Sequence, residues 1–352
     1  MALNENSTLE DVRDIAREKM KGICGVFPVC DGSLTRICQQ RSYGKPNQFG
    51  GAGSGASFEN NVKALAKIRL KLRLVGEAIN ADTTYDFFGK TLSMPVMGAS
   101  VAGTTSFGGD DVITEADFCQ AVVDGCKDAG SIGWRGHSFM YSFEEPYGIN
   151  AIAAAGGWGV QIIKPLPQDM ILRYFKMAEE AGCVAVGVDI DGAGSVNKAK
   201  YKVDLQRKTP EEIEELVNAT SLPVIIKGVM CVEDAAAIAT TGAAAIVVSN
   251  HGGRVLDHTP GTADVLPGIV NEVKGKMKVF ADGGVRTGYD VLKMLALGAE
   301  GVLIGRDVVR AAIGGGAFGV KLQMELLQKT LALAMKMTGC SCLADVSNQI
   351  LE

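Results

Sequence analysis

From residue 94 onward, one pattern of apolar and polar positions repeats: a short apolar run, a turn, and a stretch with apolar residues at helical spacing. Short apolar runs without polar alternation are typical of strands that are buried on both faces of a parallel sheet. Eight such runs lie at residues 94–99, 130–134, 158–163, 184–190, 222–228, 244–250, 278–284 and 301–306.

Helix-start and helix-stop signals separate these runs. Thr114 with Asp117, and Thr209 with Glu212, have the spacing of capping boxes, and Gly298 has the position of a C-terminal cap. Strand and helix alternate eight times over about 210 residues, which predicts an α/β protein with a (β/α)8 TIM barrel. A doubly wound open sheet is the alternative, but no GxGxxG sequence opens a helix after the first strand.

Residues 1–90 lack this alternation, so we predict an N-terminal extension of helices and loops that packs on the barrel. Within the extension, residues 11–20 and 62–72 have helical patterns. The barrel is expected to occupy residues 91–339, and a C-terminal tail residues 340–352.

The composition is that of an ordinary globular protein, because 47% of the 352 residues are hydrophobic and 21% are charged. The net charge of −5 provides no basic footprint for nucleic acid or a membrane surface, so we expect small-molecule partners. Neither a signal-peptide pattern nor a membrane-spanning run is present, which predicts a cytoplasmic protein. A helix at 318–337 has more apolar residues than one buried face needs, which favours a homo-oligomer.

Nine cysteines in a chain without a secretion signal indicate reduced thiols rather than a disulfide framework. Three of them, Cys24, Cys30 and Cys38, have the spacing C-x5-C-x7-C. Zinc or an iron–sulfur cluster is one interpretation, but the usual C-x2-C pairs are absent. We therefore expect free structural thiols and no metal.

Polar residues follow several of the apolar runs, and the carboxyl ends of barrel strands form one ring. The sixth run leads into SNHGGR, in which His251 lies close to Arg254. A base near a guanidinium that can bind a carboxylate is suited to a 2-hydroxy acid. A satisfied structural histidine is the alternative. His137 and His258 have no such neighbours and are interpreted as structural or surface residues.

The last two strands lead into ADGGVRTG and IGR, at the place where barrels often hold a phosphate. The glycines would let backbone N–H groups approach phosphate oxygens, and Arg286 and Arg306 would add charged donors. Glycines that only form tight turns are the alternative. Lys227 follows an apolar run, so its ammonium needs an electron-rich cofactor atom or, alternatively, a structural carboxylate.

The segments SNHGGRVLD, IIKGV and ADGGVRTGYDVLKMLALGAEGVLIGR resemble the FMN-dependent α-hydroxy acid oxidase and dehydrogenase family, which includes glycolate oxidase and lactate oxidase. The resemblance is specific from about residue 185 to 310 and continues weakly back to about residue 57. It implies FMN as cofactor, a small L-2-hydroxy acid as substrate, oxygen or another compound as electron acceptor, and a tetramer.

The resemblance also implies roles for the residues of the catalytic site. His251 would be the base that takes a proton from the substrate, and Asp189 would stabilise its imidazolium. Arg254 would bind the substrate carboxylate, and Lys227 would stabilise the anionic reduced flavin.

Within the flavin site, Lys227, Ser249 and Gln161 would contact the ring, and the backbone near Val101 and Ala102 would approach its N5 atom. The phosphate would lie in the loops after the last two strands. The cofactor contacts implied in this way are Val101, Ala102, Gln161, Lys227, Ser249, Asp282, Gly283, Gly284, Arg286, Gly305 and Arg306.

This chain departs from the family pattern around the substrate. The family's substrate tyrosine, two positions after the Gln161 equivalent, is Ile163, and its early tyrosine has only Tyr43 as a candidate counterpart. Ser100 replaces a proline, and the second arginine of the loop after strand four is absent. The basic residues in and after that loop are interpreted either as pocket contacts or as a solvated face: Lys198, Lys200, Lys202, Arg207 and Lys208.

Two other functions stay open at this point. An FMN barrel with isomerase chemistry, like the type 2 isopentenyl diphosphate isomerases, would need metal and acidic ligands that the sequence does not reveal. A flavin-binding protein with a repurposed pocket is the other, and Ile163 is the departure that favours it.

Overall fold

The computed structural model of the chain describes residues 3–32, 49–138, 142–194 and 204–352. Eight parallel strands form a closed barrel in which the last strand pairs with the first, and each overlaps one of the eight apolar runs. The predicted (β/α)8 barrel is therefore confirmed. The strands are β1 (Tyr85–Phe87), β2 (Lys90–Leu92) and, in the barrel, β3 (Val96–Val101), β4 (Gly133–Gly136), β5 (Gly159–Ile163), β6 (Ala185–Asp189), β7 (Val224–Val229), β8 (Ala245–Val248), β9 (Lys278–Ala281) and β10 (Gly301–Ile304).

Side chains alternate between the barrel interior and the surrounding helices, because successive residues of a strand point to opposite faces. Met97, Val160, Val247 and Phe280 belong to the interior cluster. The β1–β2 hairpin closes the amino-terminal end of the barrel, where the rings of Phe87 and Phe280 lie 5.6 Å apart. The sequence analysis missed this hairpin, since strands of three residues are too short for a clear alternating pattern.

Helices follow the strands and cover the outside of the barrel. The capping box of Thr209 and Glu212 is present as predicted, and the Thr114 hydroxyl accepts a hydrogen bond from the Asp117 N–H group at 3.1 Å. Within the described residues, no helix combines the length and apolar character that crossing a bilayer requires. The helices are α1 (Leu9–Lys19), α2 (Ala56–Lys67), α3 (Glu115–Asp128), α4 (Tyr147–Ala154), α5 (Gln168–Glu180), α6 (Pro210–Asn218), α7 (Val232–Ile238), α8 (Thr262–Val273), α9 (Gly288–Ala296) and α10 (Arg306–Thr338).

The second helix of the N-terminal extension differs from its predicted range of 62–72. Helix α2 begins six residues earlier, at Ala56, and ends at Lys67. Beyond it, Leu70 forms an antiparallel bridge with Leu351, and the Lys71 N–H group donates to a carbonyl of the C-terminal tail at 2.8 Å. The tail therefore supplies the partners that a longer helix would have supplied.

The last helix, α10, is longer than the predicted range of 318–337 because it begins directly after β10, within the IGR sequence. Two non-helical residues, Gly315 and Gly316, divide it by a kink, and the second part corresponds to the prediction. Helix α1 packs closely on the first part. A Cβ atom at Gly314 would lie 2.1 Å from the Val12 carbonyl oxygen, so glycine permits this contact.

Candidate active site

A cavity opens at the carboxyl end of the barrel, where the polar residues after the strands meet. Asp189 and Ser249 lie buried behind its wall, and the Ser249 hydroxyl donates to Asp282 Oδ2 at 2.9 Å. Most of the sequence-predicted site residues line the cavity: Val101, Ala102, Lys227, His251, Arg254, Asp282, Gly283, Gly284, Arg286, Gly305 and Arg306.

The SNHGGR segment turns sharply after β8. His251, Gly252 and Gly253 all have left-handed backbones, with φ values of 58°, 63° and 79°. The Asn250 side chain closes the turn by accepting the Gly253 N–H group at 3.0 Å. For histidine this conformation costs about 1–2 kcal/mol, and such strain often occurs at functional sites.

The N-terminal extension supports this turn from outside the barrel. The Asn61 side-chain amide donates to Asn250 Oδ1 at 2.8 Å, and Asn61 Oδ1 accepts the Thr262 N–H group at 3.1 Å. A Cβ atom at Gly253 would lie 2.3 Å from the Phe58 nitrogen, so α2 touches the turn directly. The extension is therefore part of the structure that positions His251.

His251 is held through one ring nitrogen. Its Nδ1 atom lies 2.9 Å from Asp191 Oδ1 and 3.3 Å from Asp189 Oδ1. Because a carboxylate accepts a hydrogen bond, Nδ1 carries the proton in the neutral ring, and Nε2 is the nitrogen that can take one. The sequence analysis expected Asp189 as the partner and missed Asp191, which makes the shorter contact.

The two aspartates have opposite electrostatic surroundings. Burial raises the pKa of Asp189, but the positive charges of His251 and two lysines outweigh burial and hold that pKa well below its usual value. The pKa of Asp191 is raised by burial and by the negative charge of Asp189. When the pair binds one proton, Asp191 is therefore the carboxyl group that takes it.

Lys227 extends from β7 toward the same carboxylate. Its Nζ atom lies 3.5 Å from Asp189 Oδ1, and the side chain is buried. Burial lowers the pKa of Lys227, but the negative charges of Asp189, Asp191 and Asp282 outweigh it, so the pKa is raised. Lys227 is therefore a cation, and the structural carboxylate considered in the sequence analysis is present.

The loop after β9 contains hydrogen-bond donors that have no partner among the described residues. The Arg286 Nε and Nη2 atoms are buried and have no hydrogen-bond partner among the described residues. Gly283 and Gly284 have left-handed backbones, and Cβ atoms there would lie within 3.0 Å of Asn61. Both glycines also line the cavity, and a buried guanidinium beside them fits a phosphate group.

Arg306, at the start of α10, adds to the positive charge. Its guanidinium donates to the carbonyl oxygens of Phe49, Gly50 and Gly252. Burial and the nearby Arg286 and other arginines lower the pKa of Arg306 to about 9. A phosphate dianion bound beside Arg286 and Arg306 would reduce the repulsion between these arginines.

Gln161, which the resemblance placed on the flavin ring, lies outside this cavity. Its neighbours Val160 and Ile162 point into the barrel, so Gln161 points outward, toward a smaller cavity beside α4. A Cβ atom at Gly148 of α4 would lie 2.6 Å from Gln161 Oε1. The side chain therefore does not line the main cavity, and its contact with the flavin ring stays a prediction from the resemblance.

Lys164 lines the main cavity although the sequence analysis did not select it. Its Nζ atom lies 2.5 Å from Asp189 Oδ2. His137, interpreted from the sequence as structural or surface, lines the same cavity, and its Nε2 atom lies 3.2 Å from the Tyr174 hydroxyl. Burial and the charge of Lys164 lower the pKa of His137 to about 3, so the ring is neutral.

The cysteines of the N-terminal segment contact arginine. Cys24 Sγ accepts a hydrogen bond from Arg310 Nε at 3.1 Å. Burial raises the pKa of Cys30, but the positive charges of Arg286 and Arg310 outweigh burial, so the pKa of Cys30 is lowered. Cys38 lies outside the described residues.

Among the described residues, one group of side chains is close enough to share a metal ion: Asp189, Asp191 and His251. Both Asp189 oxygens already contact lysine ammonium groups, which disfavours a cation there.

The remaining sequence candidates divide into two groups. Arg207 is exposed, and Lys208 bonds to Gln168 Oε1 at 3.2 Å and to Glu212 at 3.4 Å, so neither contacts the pocket. The other candidates lie outside the described residues: Tyr43, Lys198, Lys200 and Lys202.

The cavity therefore brings together an arginine cluster, a histidine held by two carboxylates and Arg254 at one end of the barrel. Comparison with known proteins identifies the family of the chain. The model of the FMN-dependent dehydrogenase family matches residues 48–210 and 195–352. Glycolate oxidase 3 of Arabidopsis thaliana is 30% identical over 338 residues, covering 84% of this chain and 88% of that protein.

Two further proteins are similar to this chain. The 4-hydroxymandelate oxidase of Amycolatopsis orientalis is 31% identical over 329 residues, covering 83% of this chain and 88% of that protein. A crystal structure of a mandelate oxidase variant with an FMN adduct has a TM-score of 0.75 and 30% identity, and covers 97% of this chain and 98% of that one. The chain therefore belongs to the family of FMN-dependent dehydrogenases and is an FMN-dependent oxidoreductase.

Proposed function

We propose that this enzyme oxidises a small L-2-hydroxy acid to the 2-oxo acid, with His251 as the base and Arg254 as the carboxylate-binding residue. The observation that carries the proposal is the pairing of these two side chains on the cavity wall, His251 with its Nδ1 atom held by two aspartates. FMN, when bound, supplies the two-electron acceptor.

The cofactor would be held on the side of the arginines. Arg286 offers buried N–H groups that have no hydrogen-bond partner in the described part of the chain, and Gly283 and Gly284 line the cavity beside it. Lys227 is a buried cation at the cavity wall, which suits a negative charge that develops on the cofactor. Ser249 lies buried behind this wall.

Arg254 is suited to bind the substrate. It lines the cavity beside His251, and among the described side chains no carboxylate lies within ion-pair distance of it. Burial lowers the pKa of Arg254, an effect that Asp189 and Asp191 partly offset, and a bound carboxylate would offset it further. The substrate would then lie with its hydroxyl-bearing carbon near His251.

His251 would take a proton from the substrate at Nε2. The positive charge that forms on the ring would be stabilised by Asp189, whose lowered pKa keeps it ionised, through the 3.3 Å contact at Nδ1. General-base catalysis of this kind contributes about 10²- to 10⁴-fold to a rate. The diphosphate isomerase alternative is not favoured, because the similar proteins named above are oxidases.

The test is anaerobic mixing of the FMN-bound protein with a panel of L-2-hydroxy acids while the oxidised flavin absorbance is recorded. Bleaching supports the proposal, and no bleaching across the panel would refute it. In His251→Asn, bleaching should slow by at least about 10²-fold while FMN stays bound.

The matched control is His258→Asn. His258 is exposed and has a φ of 61°, close to the 58° of His251, and asparagine tolerates this backbone conformation well. Both variants therefore place an asparagine at nearly the same left-handed backbone conformation. The control should bleach at the wild-type rate, and a similar rate in His251→Asn would show that His251 is not the base.

A further inference from the structure

The wall of the cavity also contains polar groups that the proposed reaction does not use. Strand β5 presents Val160 and Ile162 to the barrel interior, and Lys164, two positions further on, lines the cavity with the same direction. Ile163 belongs to the outer core. The residue that this strand contributes to the cavity is therefore Lys164.

Lys164 is fixed in place but retains hydrogen-bonding capacity. Its Nζ atom lies 2.5 Å from Asp189 Oδ2, and its side chain is 14% exposed. A Cβ atom at Gly192 would lie 2.9 Å from Lys164 Cδ, so the loop after β6 packs on the lysine stem. An ammonium has three N–H groups, and among the described residues only Asp189 accepts one of them.

His137 and Ser138 line the cavity beside Lys164. The His137 Nδ1 atom is buried and has no partner among the described residues, while its Nε2 atom is 3.2 Å from the Tyr174 hydroxyl. Because the ring is neutral, Nδ1 donates or accepts according to the direction of the Tyr174 hydroxyl proton. A substrate hydroxyl, which also donates and accepts, satisfies such a nitrogen in either case.

The charges around the cavity decide between a hydroxyl and a second carboxylate. Three carboxylates, Asp189, Asp191 and Asp282, lie among the cations, and the raised pKa of Asp191 favours its neutral form. With Asp191 ionised the excess is two positive charges, which an FMN phosphate with about two negative charges would balance. With Asp191 protonated the excess is three, which leaves one positive charge for a single substrate carboxylate. In neither case does a positive charge remain for a second carboxylate. The five cationic side chains that line the cavity are Lys164, Lys227, Arg254, Arg286 and Arg306.

We propose that His137, Ser138 and Lys164 form a hydrogen-bonding subsite for a neutral, hydroxyl-bearing side chain of the substrate, so that the enzyme prefers polyhydroxylated 2-hydroxy acids over alkyl or aryl ones. The proposal rests on the proposed function, since it concerns the substrate of that same site. It also gives the chain a polar contact where the family pattern has a tyrosine and this chain has Ile163.

The decisive measurement is binding of 2-oxo acids to the oxidised holoenzyme by calorimetry, because binding does not depend on turnover. Hydroxypyruvate carries the hydroxyl, pyruvate lacks it, and oxaloacetate replaces it by a carboxylate. Hydroxypyruvate should bind about tenfold more tightly than pyruvate, the effect of one hydrogen bond to a charged group. Equal binding, or tighter binding of oxaloacetate, would overturn the proposal.

Two variants test whether the subsite causes the tighter binding of hydroxypyruvate. In Lys164→Met, the ratio of hydroxypyruvate to pyruvate affinity should fall from about tenfold to about twofold or less. In His137→Phe, which keeps a ring against Tyr174, the same ratio should become about three times smaller than in the wild type. Lys176→Met, on the exposed face of α5, is the control and should keep the full preference. If Lys164→Met weakens both oxo acids equally, Lys164 only positions Asp189 and the subsite is wrong.

Flavin bleaching by L-glycerate and L-lactate separates this inference from the proposed function. Bleaching by neither, together with the expected binding ratios, would leave the subsite supported and contradict the oxidation. Bleaching by both at equal efficiency, with equal oxo-acid binding, would support the oxidation and contradict the subsite.

Discussion

Asp189→Asn would remove the carboxylate around which the site's charges are arranged. In the wild type, Asp189 contacts Lys164 Nζ at 2.5 Å, Lys227 Nζ at 3.5 Å and His251 Nδ1 at 3.3 Å. An asparagine would fill the same space, but two ammonium groups on a buried wall would lose their counter-ion. Breaking a buried ion pair in this way costs about 3–5 kcal/mol.

The expected change in melting temperature follows from the size of the chain. Globular proteins have an unfolding entropy of about 2.1 cal/mol/K per residue, so 352 residues correspond to about 0.7 kcal/mol per degree. The Asp189→Asn holoenzyme should therefore melt about 4–7 °C below the wild type at pH 7. Its flavin reduction should also slow, because the imidazolium of His251 loses one stabilising charge.

Asp191→Asn is the informative comparison, since the same substitution two residues away should act in the opposite direction on stability. The pKa of Asp191 is raised, so its ionised form is disfavoured in the folded protein, and the corresponding stability is lost as the pH rises through the folded pKa. The asparagine side chain cannot ionise, so the Asp191→Asn protein does not lose this stability as the pH rises. We expect Asp191→Asn to melt at or above the wild-type temperature at pH 7.

The pH dependence gives a second check on Asp189. Because its folded pKa is lowered, its contribution is present above the unfolded pKa of about 4 and is lost as the pH falls through the folded value. The difference between wild type and Asp189→Asn should therefore persist from pH 7 to about pH 5 and shrink below about pH 4.

Differential scanning calorimetry of the holoenzymes measures both effects, with Asp128→Asn on the exposed end of α3 as the control. The control should stay within about 0.5 kcal/mol of the wild type. Equal melting temperatures for Asp189→Asn and the control would refute the reasoning, as would a destabilisation of Asp191→Asn as large as that of Asp189→Asn.

Three further predictions concern the cofactor site and its support. Arg286→Gln should weaken FMN binding about 10- to 100-fold in a flavin fluorescence titration, whereas the exposed Arg69→Gln should not change it; equal affinities would remove Arg286 from the phosphate site. Gly253→Ala should lower the free energy of unfolding, measured with denaturant, by more than about 2 kcal/mol because of the contact with Phe58. Gly22 also has a left-handed backbone but open space around it, so Gly22→Ala should lower the free energy of unfolding by only about 1 kcal/mol. Removing FMN should lower the melting temperature of the protein. Inorganic phosphate at 100 times its dissociation constant should then raise the free energy of unfolding of the FMN-free protein by about 2.7 kcal/mol. No response to phosphate would contradict phosphate binding at the arginine cluster.

The barrel could be predicted from the sequence because each of its strands is buried on both faces, and such strands appear as local apolar runs. Element boundaries that depend on distant residues could not. Helix α2 ends where Leu70 meets Leu351 near the far end of the chain, and the β1–β2 hairpin is stabilised by ring contacts inside the barrel. Assembly as a tetramer, the cytoplasmic location, the domain limits and the electron acceptor stay predictions.

The clustering of the candidate anion-binding and base residues in one cavity was predictable for a related reason. Glycine pairs and charged residues directly after apolar runs stand out in the sequence, and the barrel brings strand ends together whatever the side chains are. Asn61 of the extension was not predictable in this way, since its contact with Asn250 spans 189 positions and carries no local signal.

The face that each residue of β5 takes could not be predicted, for a different physical reason. In the segment GVQIIKP, apolar residues occupy consecutive positions, so no alternation reveals which of them face the barrel interior. A shift of one residue in that assignment moves every side chain of the strand to the opposite face. In the structure Ile162 faces the barrel interior and Lys164 lines the main cavity, whereas Gln161 lines the smaller cavity beside α4. The sequence could not reveal Lys164 as a polar group of the cavity, because that depends on which face of the strand each residue takes.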